Sequence, residues 1–342
     1  MRNGNHTLLY IASALAFGLL PVYTQPQMAQ AQERVQAVKP VTAVRSTLGI
    51  SYPEGPTLGI KFRGTERLPD ASGEAKVERK RGMTEIEIEL DEMKPAPFFG
   101  GDIATYVLWT VSPEGHTGNT GEFIIQGNRS KLNVSTPLQT FGMFITAEPH
   151  FLVRTPSRYV VLENTRPASE VSNSIVETST IEYKGFDGIY NVGQETLAQL
   201  PESKGEVRSD MKQARVAVEL AKRSGAAEYA PRELADAENL LNQAINAVEA
   251  KTAKESVMVM AHDTVRNALK AQIRAEEQSF QAAIDAERAE NAAEIGQLEA
   301  SIANARSEAE KERYLAEQRQ LKLELEQRAR SEAQQRAAGR DG

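Results

Sequence analysis

Met83-Thr-Glu-Ile-Glu-Ile-Glu-Leu90 decides the front half of this chain. Ile86, Ile88 and Leu90 alternate with Glu85, Glu87 and Glu89. In an extended chain that period of two sends the aliphatic side chains to one face and the carboxylates to the other. Such a strand is stable when one face lies on a core and the other in water. Leu58, Ile60 and Phe62 alternate with Gly59, Lys61 and Arg63 in the same way. More apolar runs follow at 106–111, 123–126, 141–147 and 159–162. Turn residues bound them, among them Gly100-Gly101-Asp102, Pro113-Glu114-Gly115, Gly127-Asn128 and Pro156-Ser157. Seven or eight short strands with no helical pattern between them predict an antiparallel β-sandwich over residues 56–163, with Trp109 in its core.

Downstream the pattern changes. Residues 164–206 mix Ser, Thr, Glu and Gly and read as a linker; only the stretch 181–190, broken by Gly185 and Gly188, hints at a hairpin. From Val207 the apolar positions take helical spacing: Ala214, Ala217, Val218 and Ala221, then Leu234, Ala237, Leu240, Leu241, Ala244 and Val248. Gly225 is suited to end one helix in a left-handed conformation, and Pro231 to open the next where an amide donor is dispensable. Residues 207–260 are therefore expected to form an Ala-rich helical hairpin. A further segment with Val257, Val259, Val265, Leu269 and Ile273 is placed to complete a small bundle. Residues 261–338 contain no proline and only Gly296, and read as one long charged helix. Glu324 with Arg328 and Glu326 with Arg330 add i,i+4 pairs of about 0.2–0.5 kcal/mol each. Phe280, Ile284, Ile295, Leu298, Ile302, Ala305 and Ala309 form a seam that drifts in phase near Tyr314, which permits a coiled coil without compelling one. Residues 339–342 are expected to be a disordered tail. The fold class is thus multidomain, with β and α segregated.

The chain has 342 residues, 40 Lys and Arg against 47 Asp and Glu, a net charge of −7 and no cysteine. Its length has room for about two domains. The acidic balance argues against nucleic acid, because the one dense basic cluster, 76–81, contains Glu78. Arg2, an apolar run from Leu8 to Leu20 and the small-x-small sequence Ala29-Gln30-Ala31 read as a secretory signal peptide over residues 1–31. The rival reading is a retained anchor, but the run falls short of the roughly 20 apolar residues that cross a bilayer. Residues 32–55 are expected to be a flexible N-terminal segment. The mature chain is expected to lack a transmembrane segment and to lie in the periplasm or elsewhere outside the cytoplasm.

Little here suggests catalysis. The absence of cysteine excludes thiol chemistry and disulfides. The histidines are His6, His116, His150 and His262. His116 and His150, with Asp102 or Glu148, would make a metal site if they met at one end of the sandwich, but their spacing is not that of ligands and they read as surface loop residues. No Gly-x-Ser-x-Gly elbow or phosphate-binding glycine loop is present. Glu85, Glu87 and Glu89 read as a solvated strand face rather than acid–base groups. Asn128 and Asn133 begin glycosylation sequons of the kind that arise by chance. A non-enzyme is expected, with no catalytic, cofactor-binding or metal residue.

Around Gly225-Ala226 and Tyr229-Ala230-Pro231, together with Ala217, Ala221, Leu234, Ala237, Leu240 and Ala244, residues 215–244 resemble an Ala-rich helical domain of unknown function in bacterial envelope proteins, often found ahead of OmpA-like domains. The resemblance covers about a tenth of the chain and implies an envelope location. No OmpA-like α/β pattern follows it, so a wall-binding role is not carried over. Tyr106-Val107-Leu108-Trp109, the Gly115 to Gly121 turn, Phe141 to Ile145 and Thr146-Ala147-Glu148-Pro149 are similar in outline to the extracytoplasmic β-sandwich of anti-sigma-K factors. The order of segments differs, because a signal peptide rather than a sigma-binding part precedes the sandwich here. That similarity implies only a fold.

The expectation is an exported envelope protein with a structural or interaction role. Its β-sandwich would recognise an envelope protein or cell-wall component, and its C-terminal helix would space or self-associate copies. The alternative is a periplasmic small-ligand or carbohydrate-binding protein, for which Tyr106, Phe123 and Tyr159 are the aromatic candidates, although their strand positions suit a core better.

Overall fold

The computed structural model describes residues 41–167 and 176–338. The readings of residues 1–31 as a signal peptide and 339–342 as a tail lie outside them. The β and α parts are segregated, as the composition change implied. Ten strands come first: β1 (Thr42–Ser51), β2 (Thr57–Gly64), β3 (Ser72–Lys80), β4 (Met83–Asp91), β5 (Thr105–Val111), β6 (Thr117–Phe123), β7 (Ser130–Thr136), β8 (Thr140–Glu148), β9 (Val160–Asn164) and β10 (Thr178–Phe186). All pair antiparallel, in the order β10-β1-β8-β9-β2-β3-β4-β7, with β5 on β8 and β6 on β5.

β8 is where the sheet folds over. β5 runs along one of its edges, from Thr105 opposite Glu148 to Val111 opposite Gly142. Its other edge is shared, with β1 at Phe141 and Gly142 and β9 from Phe144 to Thr146. One layer is therefore β6-β5-β8-β1-β10 and the other β9-β2-β3-β4-β7. The free edges approach each other: a Cβ on Gly121 of β6 would lie 3.1 Å from the Leu132 and Val134 side chains of β7.

Between the layers lie Ile60, Phe62, Val77, Ile86, Ile88 and Leu90 from one side and Tyr106, Leu108, Phe141, Met143 and Ile145 from the other, all at most 3% exposed. A second cluster covers the outer face of β5 and β8, where Trp109, Phe144, Ile181 and Tyr183 pack with Val153 and Val160. Both faces of β5 are thus covered, which is why Thr105–Val111 is buried at every position and its sequence does not alternate polar with apolar.

Two expected boundaries are corrected. The flexible segment assigned to 32–55 contains β1, and the linker assigned to 164–206 contains β10 and the short helix α1 (Gln194–Ala198). The two overlooked strands are each other's partners, in continuous register from Thr42 opposite Phe186 to Ile50 opposite Thr178.

The remaining helices are α2 (Gly205–Arg223), the single turn α3 (Ala226–Tyr229), α4 (Pro231–Glu249) and α5 (Lys254–Ala338). Gly225, with φ +82°, reverses the chain after α2, and Pro231 opens α4. Ala214, Ala217 and Ala221 of α2 and Ala237, Leu241 and Ala244 of α4 meet Val257, Ala261, Val265, Ala268, Ala271 and Ala275 of α5. Small side chains at these sites let the helix axes come close. The boundary at 260 is corrected too, since it falls inside α5: the third bundle segment and the long helix are one continuous element. Beyond the bundle α5 runs on as an arm, and every residue from Asp285 to Ala333 is exposed. Among the described residues, no helix is long and apolar enough to cross a membrane.

Candidate functional site

The β head and the helical bundle meet along a polar seam set by the first turns of α2. Ser209 Oγ donates to the carbonyl of Ala104 at 2.8 Å, and Lys212 Nζ to that of Ile103 at 3.1 Å, anchoring the helix at the entry to β5. One turn on, Gln213 is fully buried. Its amide nitrogen donates to Glu122 of β6 at 2.8 Å, and its oxygen accepts the Phe151 amide at 2.8 Å. It ties together a strand, a helix and the β8–β9 loop. Burial pushes the Glu122 carboxyl up, against the hydrogen bonds from Thr105 and Gln213 that hold it down.

Asp210 and His262 continue the seam. His262 Nε2 stands 3.4 Å from Asp210 Oδ1, an ion-pair distance rather than a well-formed hydrogen bond, and Asp210 Oδ2 has no partner among the described residues. The close approach of Asp210 raises the His262 pKa, partial burial opposes the rise, and the Asp210 charge adds to it. The imidazole also rests on the Phe151 ring, with centroids 4.9 Å apart. Beside the seam, an open cleft of about 1100 Å³ lies between the start of α2 and β6, bordered by Phe123, Ile125, Leu200, Lys204, Arg208 and Asp210.

A second polar cluster lies inside the head. Glu148, with no exposed surface, accepts hydrogen bonds from Thr146 Oγ1, from the Ser157 amide at 2.7 Å and from the Tyr190 hydroxyl at 3.3 Å. Thr146 Oγ1 in turn accepts the Trp109 indole N–H at 2.7 Å. Burial dominates over these bonds and raises the Glu148 pKa to about 7. His150, two residues on, is also buried, and burial lowers its pKa to about 4.

The residues weighed as candidates on sequence are dispersed. His116 is exposed in the turn after β5, at the Val111–Gly142 end of the β5–β8 pair, whereas His150 lies beyond the Thr105–Glu148 end. They do not meet, and His150 is a buried residue, not a surface one, in a loop whose next residues, Phe151 and Leu152, pack on the bundle core. Among the described residues, no group of three or more His, Asp or Glu side chains is placed to hold a metal ion. Tyr106 and Phe123 are core residues and Tyr159 is half-buried. Glu87 and Glu89 share Lys131 on the solvated face of β4. Sequence reasoning passed over Gln213, Glu122 and Asp210, whose polar side chains carry no local sign of burial. For Glu148, its place at the end of the apolar run 141–147 was a usable signal.

No family model, curated protein or solved structure matches this chain. The arrangement itself provides a rigid head, a polar seam that fixes the bundle on it, and an uncovered arm. Replacing Gln213 by Leu would strip two buried hydrogen bonds from the seam and leave the Phe151 amide without a partner, a loss of about 2–3 kcal/mol. Amide hydrogen exchange at Phe151 is expected to accelerate strongly while exchange in β3 and β4 stays unchanged.

Proposed function

We propose that this chain is an exported, non-catalytic structural protein of the cell envelope, whose β head recognises an envelope protein or cell-wall component and whose helical arm assembles copies of it. The observation that carries this reading is the arm. Over Asp285–Ala333 it exposes Ile295, Leu298, Ile302 and Leu323 on one side, each more than half accessible. An exposed apolar stripe of this kind on a helix is the usual form of a helix-binding surface. The signal-like residues 1–31 and the resemblance of 215–244 to envelope domains support the location. A second reading, a periplasmic small-ligand or carbohydrate-binding protein, draws on the cleft beside α2.

Fractionation of the producing cells, N-terminal sequencing and light scattering test the proposal together. The expected result is an envelope-fraction protein that begins at Gln32 and has the mass of an oligomer. A cytosolic monomer that retains Met1 would overturn it.

A further inference from the structure

Several of the arm's apolar residues fall into a defined stripe, while Tyr314, Leu315, Leu321 and Leu325 lie off it. At about 100° of rotation per residue, Phe280, Ile295, Leu298, Ile302, Ala309 and Leu323 lie within an arc of about 80°. The stripe is roughly 140° around the helix from the mean direction of the face that Val257, Ala261, Val265, Ala268, Ala271 and Ala275 bury in the bundle. It is therefore not an overrun of the bundle seam, and α2 and α4 do not cover it. Phe280, Ile295, Leu298, Ile302 and Leu323 are 51–69% exposed.

Charge along the arm is lopsided. From Glu276 to Glu312 there are ten carboxylates and three basic side chains; from Arg313 to Ala338 there are six basic side chains and four carboxylates. Two arms laid parallel would set acidic half on acidic half, whereas two laid antiparallel about Ile302 would set residues 276–301, with seven carboxylates and one basic side chain, against 303–328, with six of each, which removes most of that repulsion. Side-chain size selects the same arrangement. With Ile302 facing Ile302, an antiparallel pair places Phe280 opposite Leu323, Ile295 opposite Ala309 and Leu298 opposite Ala305, so that Ile295 and Leu298 each meet an alanine on either side of the central Ile302 contact. The same register brings Asp285 level with Arg319 and Glu290 level with Arg313. The contact from 280 to 323 would run for about 65 Å.

We infer that the occupant of this stripe is the arm of a second copy, antiparallel and centred on Ile302, which holds two β heads at opposite ends of a helical rod. This rests on the assembly reading above and specifies its geometry. The chain has no cysteine, so an introduced thiol is the only one present. Full-length Phe280→Cys and Leu323→Cys proteins, oxidised separately and as an equal mixture, test the pairing. A disulfide needs Cα atoms within about 7 Å, so the mixture should yield at least about ten-fold more cross-linked dimer than either variant alone. Ile302→Cys alone should cross-link with itself. Ile302→Asp, at a site exposed in the single chain, should move the light-scattering mass toward the monomer while leaving the circular dichroism of the head and bundle unchanged. If Phe280→Cys cross-links efficiently with itself and mixing adds nothing, the arms are parallel, and the inference fails while the assembly reading stands. A monomeric parent with no cross-link in any variant overturns both.

Discussion

Replacing Glu148 by Gln should make the protein acid-labile, and replacing His150 by Gln should make it labile toward alkali, although the two side chains lie two residues apart in the same buried stretch. Glu148 titrates near 7 in the folded chain against an ordinary 4.5. Between those values the folded state binds the proton more tightly than the unfolded one. Its contribution is complete below about pH 4.5 and is lost as pH rises through 7. His150 runs the other way. Its folded value of about 4 lies under the ordinary 6.5, so its contribution is complete above about 6.5 and is lost as pH falls through 4. Each shift of about 2.5 units corresponds to stability on the order of 3 kcal/mol. In the parent the two slopes oppose each other between about pH 4.5 and 6.5. Removing Glu148 uncovers the histidine's slope, and removing His150 uncovers the carboxyl's. The measurement is urea unfolding from pH 4 to 8, taken as variant minus parent, so that other shifted groups such as Glu122, Glu163 and His262 cancel. Difference curves flat in pH would show that neither group is buried in the neutral form.

Trp109→Ala should cost about 3–5 kcal/mol, the range for truncating a large aromatic residue in a packed core. The indole is wholly buried on the outer face of β5, stacked on Phe144 at 6.5 Å, and Phe144 in turn stacks on Tyr183 of β10 at 4.5 Å. Truncation opens a cavity where the two overlooked strands are held to the rest of the sheet. It also removes the donor to Thr146, the hydroxyl that bonds Glu148. Trp109→Phe keeps most of the packing and loses the indole N–H, so it should cost much less, about 1 kcal/mol. Circular dichroism during urea unfolding checks both, since Trp109 is the only tryptophan. A loss under 1 kcal/mol for the alanine variant would mean that the outer cluster is not closed.

Much of the architecture was legible from residue order. The alternation in β2 and β4, the Gly225 and Pro231 corner and the proline-free run through α5 each depend on neighbours a few positions away, and their periods are set by backbone geometry. β1 and β10 were not legible. Thr47, Gly49 and Ile50 are the buried positions of β1, while Val44 is 63% exposed, so no apolar period marks it as a strand. It becomes one because β10 pairs with it across more than a hundred residues and Ile181 packs over Gly49.

The seam and the inner cluster were hidden for the same reason. Nothing adjacent in sequence distinguishes Glu122 or Gln213 from a solvated polar residue, and His150 read as a loop histidine. Sequence by itself determined the segregation of sheet from helix, the long arm, its apolar stripe and its charge gradient, because these repeat locally along one element. Only the tertiary structure decided which strands pair, which polar side chains are buried and where bundle meets head, because those depend on contacts between residues that chain order keeps far apart.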